Sequence, residues 1–322
     1  MSEMAAHRVA VVTGGGRGIG AAAASALGRA GLAVCVNDTG VSLDGSGPDG
    51  QIADEAVAVI QAAGGRAMAA GTDARREEDA RALVDAVEAW AGQAPTVLVH
   101  AAGTLRDGMA HKASDEDWDE VLASHLGVAV QLTRAMAKPM RNASWGRVVY
   151  VGGAAGLIGS VGQAAYDVAK AGLFGLTRAL ALELAGIDAC VNYVAPFAYT
   201  RMTESIPPRT EILRRYLEHA KAATPEDVAP LVSWLCSEAA SGITGQVFGA
   251  RGAEVTVWSQ PRPVASLVQP SGWDADAFGG ARARMERHLS ALESEFDLFG
   301  GPPIPVERDT SAPSPAQSGD NR

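Results

Sequence analysis

The segment VAVVTGGGRGIG, residues 9–20, constrains the fold more than any other part of the chain. Its first residues read as a strand and the pattern from Ile19 onward reads as a helix, so Gly14, Gly18 and Gly20 fall in the turn between them. Residues without a Cβ in such a turn let the backbone approach a pyrophosphate at the helix N-terminus, where free N–H groups and the helix dipole favour an anion. A glycine pattern alone is weak evidence. Here a second requirement is also met, because Asp38 ends the next strand, eighteen residues past Gly20.

The same strand-then-helix unit recurs. HRVAVVTG, AVCVND, RAMAAGTD, TVLVHAAG, GRVVYVGG, ACVNYVAP and GQVFGARG read as strands, and helices are expected near 19–30, 52–63, 77–91, 115–140, 164–185 and 225–237. Strands that are apolar throughout and separated by helices are buried on both faces. The expected fold is therefore α/β: a Rossmann-type, doubly wound parallel sheet about seven strands wide. No internal repeat is visible. The dinucleotide-binding domain is expected over 1–258, a partly helical extension over 259–300, and a polar, proline-rich disordered tail over 301–322. Residues 200–223, TRMTESIPPRTEILRRYLEHAKAA, are too long for a simple connection and read as a mobile cover over a ligand.

Composition excludes several classes. A chain of 322 residues with 47% apolar content can bury a large core. Its net charge of −10 and the lack of a basic stripe argue against nucleic acid and point to a small-molecule substrate. The first residues contain no apolar signal core and no segment has the length of a membrane span, so a cytoplasmic protein with no membrane partner is expected. Cys35, Cys190 and Cys236 stand singly in apolar surroundings, and the six histidines show no ligand spacing, so no metal is expected.

Within the dinucleotide site, Asp38 can accept from both ribose hydroxyls, and its charge would repel a 2′-phosphate, which favours NAD over NADP. Arg17 pulls the other way but does not remove the carboxylate. Asp73 can hydrogen-bond the adenine or cap the helix that follows it; both readings stay open. Ala102 and Gly103 in HAAG let the backbone lie close to the cofactor.

TGGGRGIG, HAAG, Tyr166-Asp-Val-Ala-Lys170 and the turn at Pro196 come in an order and at intervals that resemble the short-chain dehydrogenase/reductase family, over roughly residues 7–257. VNDTGVSLDGSG, GTLRDGMAHKASDEDWDEVL, SHLG and RMT further resemble the (3R)-hydroxyacyl-CoA dehydrogenase part of peroxisomal multifunctional enzyme type 2 and its bacterial relatives. The resemblance implies that Ile19, Ala74, Pro196 and Thr200 join the cofactor site. It also implies that Tyr166 exchanges the hydroxyl proton while Lys170 favours the phenolate and holds the nicotinamide ribose. On a helix these two residues lie about 40° apart, on one face. The resemblance further implies a homodimer or homotetramer built by the helices near 115–140 and 164–185.

Two positions depart from the family pattern. His125 replaces the helix asparagine of the proton relay, and an imidazole can relay a proton or merely bridge the helix to backbone groups. Gly153 stands where the family has its substrate-orienting serine, and losing such a donor typically lowers the rate by about 10²–10³. Ser160 could approach from the following loop. The leading expectation is an NAD-dependent oxidoreductase interconverting a secondary alcohol and a ketone on an acyl-thioester, polyketide-like or steroid-like substrate. The alternatives are a redox-silent dehydratase, isomerase or cyclase on the same fold, suggested by Gly153, and a non-catalytic partner of a homologous subunit.

Overall fold

The computed structural model describes residues 8–292, 294, 298–299 and 301–307. Strands β1 (Val9–Thr13), β2 (Ala33–Asn37), β3 (Arg66–Ala70), β4 (Val97–His100), β5 (Trp145–Val151), β6 (Asp188–Pro196), β7 (Val247–Arg251) and β8 (Glu254–Val257) form one sheet in the order 3-2-1-4-5-6-7-8. All neighbours pair in parallel except β7 and β8, whose register sets Arg251 opposite Glu254. The chain reverses its direction of winding between β1 and β4. Such a switch point leaves a crevice at the C-terminal ends of the strands, where ligands bind in open α/β sheets.

Helices cover both faces, as the apolar strands require. On one side lie α1 (Gly18–Arg29), α2 (Gln51–Ala62) and α10 (Pro225–Leu235), which bury Leu27, Ile60, Val232 and Leu235 against the sheet. On the other lie α3 (Glu77–Ala91), α5 (Val128–Ala143) and α7 (Ala164–Glu183), which bury Leu83, Val87, Leu132, Met136 and Leu173. Short helices α4 (Asp115–Leu122), α6 (Ala155–Ile158), α8 (Arg201–Glu204), α9 (Glu211–Ala220) and α11 (Ala275–Glu286) complete the chain. Local chemistry fixes the ends: Ser114 and Asp117 form a reciprocal capping box on α4, and Thr224 and Asp227 do the same on α10, with Pro225 in its first turn.

Three sequence expectations change. The helix expected near 115–140 is broken by a π turn, Ala123–Gly127, and resumes as α5 up to Ala143. His100 explains the break, because its Nε2 lies 2.6 Å from the His125 carbonyl and inserts a side-chain hydrogen bond into the helical ladder. The sheet has an eighth strand beyond the expected seven: Val255 and Val257 are 60% and 71% exposed on an antiparallel edge, so β8 lacks a buried strand's pattern. The boundary of the tail also moves. Phe299 packs on Phe197 with ring centroids 4.9 Å apart, Arg251 donates to the Gly301 and Pro302 carbonyls, and Ala253 N donates to the Ile304 carbonyl. These are mostly backbone acceptors, which composition does not reveal; residues 308–322 lie outside the described residues.

A chain ending at Leu298 should melt several degrees below one ending at Glu307, since each kcal/mol lost shifts a domain of this size by about 2–4 °C. Equal melting temperatures in calorimetry would mean that the docked segment adds no stability.

Candidate active site

A cavity of about 330 Å³ runs along the C-terminal ends of β1, β2, β4, β5 and β6. Gly14, Arg17, Gly18, Ile19, Gly20, Asp38, Asp73, Ala74, Ala102, Gly103, His125, Tyr166, Lys170, Pro196 and Thr200 all line it. Its glycine end is shaped by close approach. A Cβ on Gly14 would lie 2.7 Å from the Ala102 nitrogen, and one on Gly20 would overlap the Gly14 carbonyl. This backbone-only turn ahead of α1 fits a dinucleotide pyrophosphate.

Asp38 Oδ2 accepts from Gly16 N at 2.9 Å and Oδ1 from Gly40 N at 2.8 Å. Each carboxylate oxygen retains a second acceptor position. Of the two readings of Asp73, the helix cap does not hold: Arg76 occupies the N-cap of α3, and Asp73 faces the cavity with an oxygen 3.3 Å from Arg75 Nε. Arg75 in turn holds Glu120 with two hydrogen bonds of 2.6 and 2.7 Å.

The other end of the cavity is built on α7. Tyr166 and Lys170 share one helical face, with Lys170 Nζ 5.3 Å from the centre of the Tyr166 ring. The amine is buried and donates to the Val151 carbonyl at 2.8 Å. Burial lowers its pKa to about 7. The His125 ring meets the Tyr166 ring edge-on, with centroids 5.2 Å apart. Its Nε2 lies 2.8 Å from the Thr104 carbonyl, which can only accept, so Nε2 carries the proton. Nδ1 is then a buried acceptor with no hydrogen-bond partner among the described residues. Burial, followed by the charge of Lys170, holds this imidazole well below its usual pKa and therefore neutral. His125 thus bridges helix to backbone, and its ring borders the cavity against Gly103.

The Gly152-Gly153 pair has separate explanations for its two members. A Cβ on Gly152 would overlap the Tyr193 ring, so that glycine is enforced by packing. Tyr193 Oη accepts from Gly153 N at 2.9 Å and donates to Gly153 O at 2.8 Å. A Cβ on Gly153 would instead lie 3.2 Å from Tyr166 Oη, tight but pointing at that phenol. Ser160 does not replace the missing hydroxyl. Its Oγ is 2.8 Å from Asp167 Oδ1 and 3.0 Å from Gln163 Oε1, and it does not line the cavity.

Other lining residues carried little sequence signal. Thr104, Leu105, Ser124, Gln163, Phe197, Arg201, Met202, Ile206 and Tyr216 also line the cavity. Gln163 was findable, since it precedes Tyr166 by one helical turn; Tyr216 reaches the cavity from α9, within the segment read as a cover. Among the described residues no group of histidine, cysteine and carboxylate side chains is arranged to hold a metal, and no helix is long and apolar enough to cross a membrane.

Lys170 gives a pH test. An unfolded lysine titrates near 10.4, whereas this one titrates at about 7 in the fold. Between those values the unfolded chain binds more protons, so folding is favoured increasingly as pH rises. From pH 7 to 9 the wild type should gain stability over Lys170→Met, by at most about 1.4 kcal/mol per pH unit, in denaturant titrations. A constant difference would show that the amine is not depressed.

A family model described as "Enoyl-(Acyl carrier protein) reductase" matches residues 14–252. The chain is 37% identical over 265 residues to the hydroxyacyl-CoA dehydrogenase ChsB1 of Mycobacterium tuberculosis, covering 79% of this chain and 80% of that protein. It is 39% identical over 231 residues to the mouse peroxisomal multifunctional enzyme type 2, covering 72% of this chain but only 30% of that longer protein. A crystal structure of a short chain dehydrogenase from Mycobacterium avium matches with a TM-score of 0.75 and 33% identity, over 93% of this chain and 98% of that one.

Proposed function

The chain belongs to the short-chain dehydrogenase/reductase family, and we propose that it is an NAD-dependent oxidoreductase that interconverts a secondary alcohol and a ketone on an acyl-thioester, polyketide-like or steroid-like substrate. The observation that carries this reading is the convergence of Tyr166 and Lys170 with the glycine turn and Asp38 in one cavity. A nicotinamide bound there would supply the hydride donor or acceptor. Gly14, Gly18 and Gly20 would admit its pyrophosphate, Asp38 its ribose, and Asp73 and Ala74 would flank the adenine. Tyr166 Oη holds the proton at the substrate oxygen. Lys170 lies close enough to favour the phenolate when charged. The apolar side chains of Leu105, Phe197, Met202, Ile206 and Tyr216 suit an acyl chain or a fused-ring skeleton, and the name of the mycobacterial hydroxyacyl-CoA dehydrogenase supports the thioester class. We further propose that the protein works in the cytoplasm and as a homodimer or homotetramer. Val168 and Leu182, exposed on α7, support an interface there.

Gly153 favours a second reading, a redox-silent dehydratase, isomerase or cyclase that uses Tyr166 and His125 alone. One substitution separates the two. In the leading reading, Gly153→Ser adds a donor beside Tyr166 and raises NADH-linked turnover of a ketoacyl thioester or ketosteroid, by up to about 10²–10³ if the geometry is recovered. The gain vanishes in combination with Tyr166→Phe. Loss of native turnover with no NADH-linked gain would favour the second reading.

Cofactor choice is tested separately. NADH should bind at least about tenfold tighter than NADPH, equivalent to about 1.4 kcal/mol, and Asp38→Ala should shrink that gap. Equal affinities in the wild type would contradict the NAD assignment.

A further inference from the structure

A second cavity, of about 350 Å³, lies where the strands begin, at the end of the sheet opposite the active-site cavity. Its walls are the last turns of α1 and α10. Ala26, Arg29 and Ala30 line it from α1, and Pro230, Ser233 and Trp234 from α10, each set at the i, i+3, i+4 spacing of one helix face. Arg8, just ahead of β1, and Glu238 also line it. Arg8 is held in place: its guanidinium carbon lies 3.8 Å from the centre of the Trp145 ring, its Nη2 donates to Glu238 Oε1 at 3.1 Å, and Trp145 Nε1 donates to Glu238 Oε2 at 3.0 Å. Its Nε is buried without a hydrogen-bond partner among the described residues, a costly unmet donor. Arg29 forms no ion pair or hydrogen bond among them. Glu238 also lies 4.0 Å from Arg147 Nη2, and Asp188 pairs with Arg147 at 3.2 Å. Three arginines against two carboxylates leave one positive charge beside the cavity. The carbonyls at the helix ends, which would attract a cation, are already occupied: Leu32 N donates to the Leu27 carbonyl, Gly31 N to that of Gly28, and Ser237 N and Oγ both to that of Trp234.

We propose that this cavity is a second ligand site, for a small aromatic monocarboxylate whose carboxylate is held by Arg29 and Arg8 and whose ring lies against Pro230 and Trp234. Guanidinium groups hold carboxylates with charge-assisted, often paired hydrogen bonds. A single surplus positive charge suits a carboxylate and would leave a phosphate dianion partly unbalanced. The remaining walls are apolar, and Pro230 and Trp234, the latter 39% exposed, offer flat ring surfaces to a flat ligand. A volume of about 350 Å³ stands at the lower end of the roughly 300–1,000 Å³ of ligand pockets, so the ligand is small. The two cavities share no lining residue. The proposal therefore does not rest on the function proposed above.

The test uses the full chain with naphthoate as the probe and naphthylmethanol as its uncharged counterpart. Calorimetric titration of the wild type should show saturable naphthoate binding, with a Kd of about 1 mM or tighter, and weaker binding of the alcohol. Hydrogen exchange places the probe: naphthoate should slow exchange over residues 26–32 and 230–238. Arg29→Gln removes one charge and should weaken binding by roughly fivefold or more, and Ser233→Trp fills the space between the helices and should abolish it. Neither Arg29 nor Ser233 is buried, and the melting temperature checks that both variants fold. No saturable binding by the wild type would overturn the site. So would protection confined to 101–106 and 196–216, which line the other cavity, or affinities within twofold of the wild type in both variants. Naphthylmethanol binding as tightly as naphthoate would overturn the carboxylate assignment. The wild-type comparisons decide the matter whether or not a variant is stable.

Discussion

Gly14 lies so close to the Ala101-Ala102 backbone that no side chain fits between the first and fourth strands at their C-terminal ends. The arrangement of the cavity follows from this contact. It lets the turn before α1 face the switch point of the sheet, where the order passes from β1 to β4. Gly103 is crowded in the same way, because a Cβ there would overlap the His125 imidazole. His100, at the end of β4, joins both regions: Nδ1 is 2.8 Å from Thr13 Oγ1 and Nε2 is 2.6 Å from the His125 carbonyl. Burial lowers the pKa of His100 to about 3, so it stays neutral and acts as a strut between the glycine turn and the π turn.

The acid–base end of the cavity combines buried nitrogen bases with a tyrosine. His100, His125 and Lys170 are all buried and all pushed toward their neutral forms, chiefly by desolvation. Positive charge is expensive here unless a negative partner arrives. A phenolate on Tyr166 would be such a partner for Lys170, so proton loss by the phenol and proton retention by the amine support each other. On the proposed reading, the missing element is a donor to the substrate oxygen from the side of Gly153. Tyr193 fixes the Gly153 backbone through both its N–H and its carbonyl, which keeps that wall rigid without supplying the donor.

The fold was legible because apolar strands and alanine-rich helices alternate with little exception, and the glycine turn is confined to one topological place. The helix bounds 77–91 agree with α3, and the strand at 188–196 contains the expected apolar run. What the sequence hid depends on contacts between distant residues. The π turn requires His100, twenty-five positions before the carbonyl it bonds, and the role of Gly152 requires Tyr193. Arg201 reads as part of a loop until the fold brings it to Val41, and the docking of Gly301 and Pro302 involves only their carbonyls. Motif residues could be found because their types are fixed by chemistry; lining residues such as Ile206 and Tyr216 are fixed only by position.

The central claim is that this cavity carries out hydride transfer despite Gly153. The most direct measurement is label transfer: the protein is incubated with NADH deuterated at C4 of the nicotinamide and a 3-ketoacyl thioester or ketosteroid, and the product is analysed by mass spectrometry. One deuterium on the newly formed carbinol carbon, lost when Tyr166 is replaced by Phe, is the expected result. Conversion of such a substrate to a dehydrated or rearranged product with no deuterium incorporated would contradict the account.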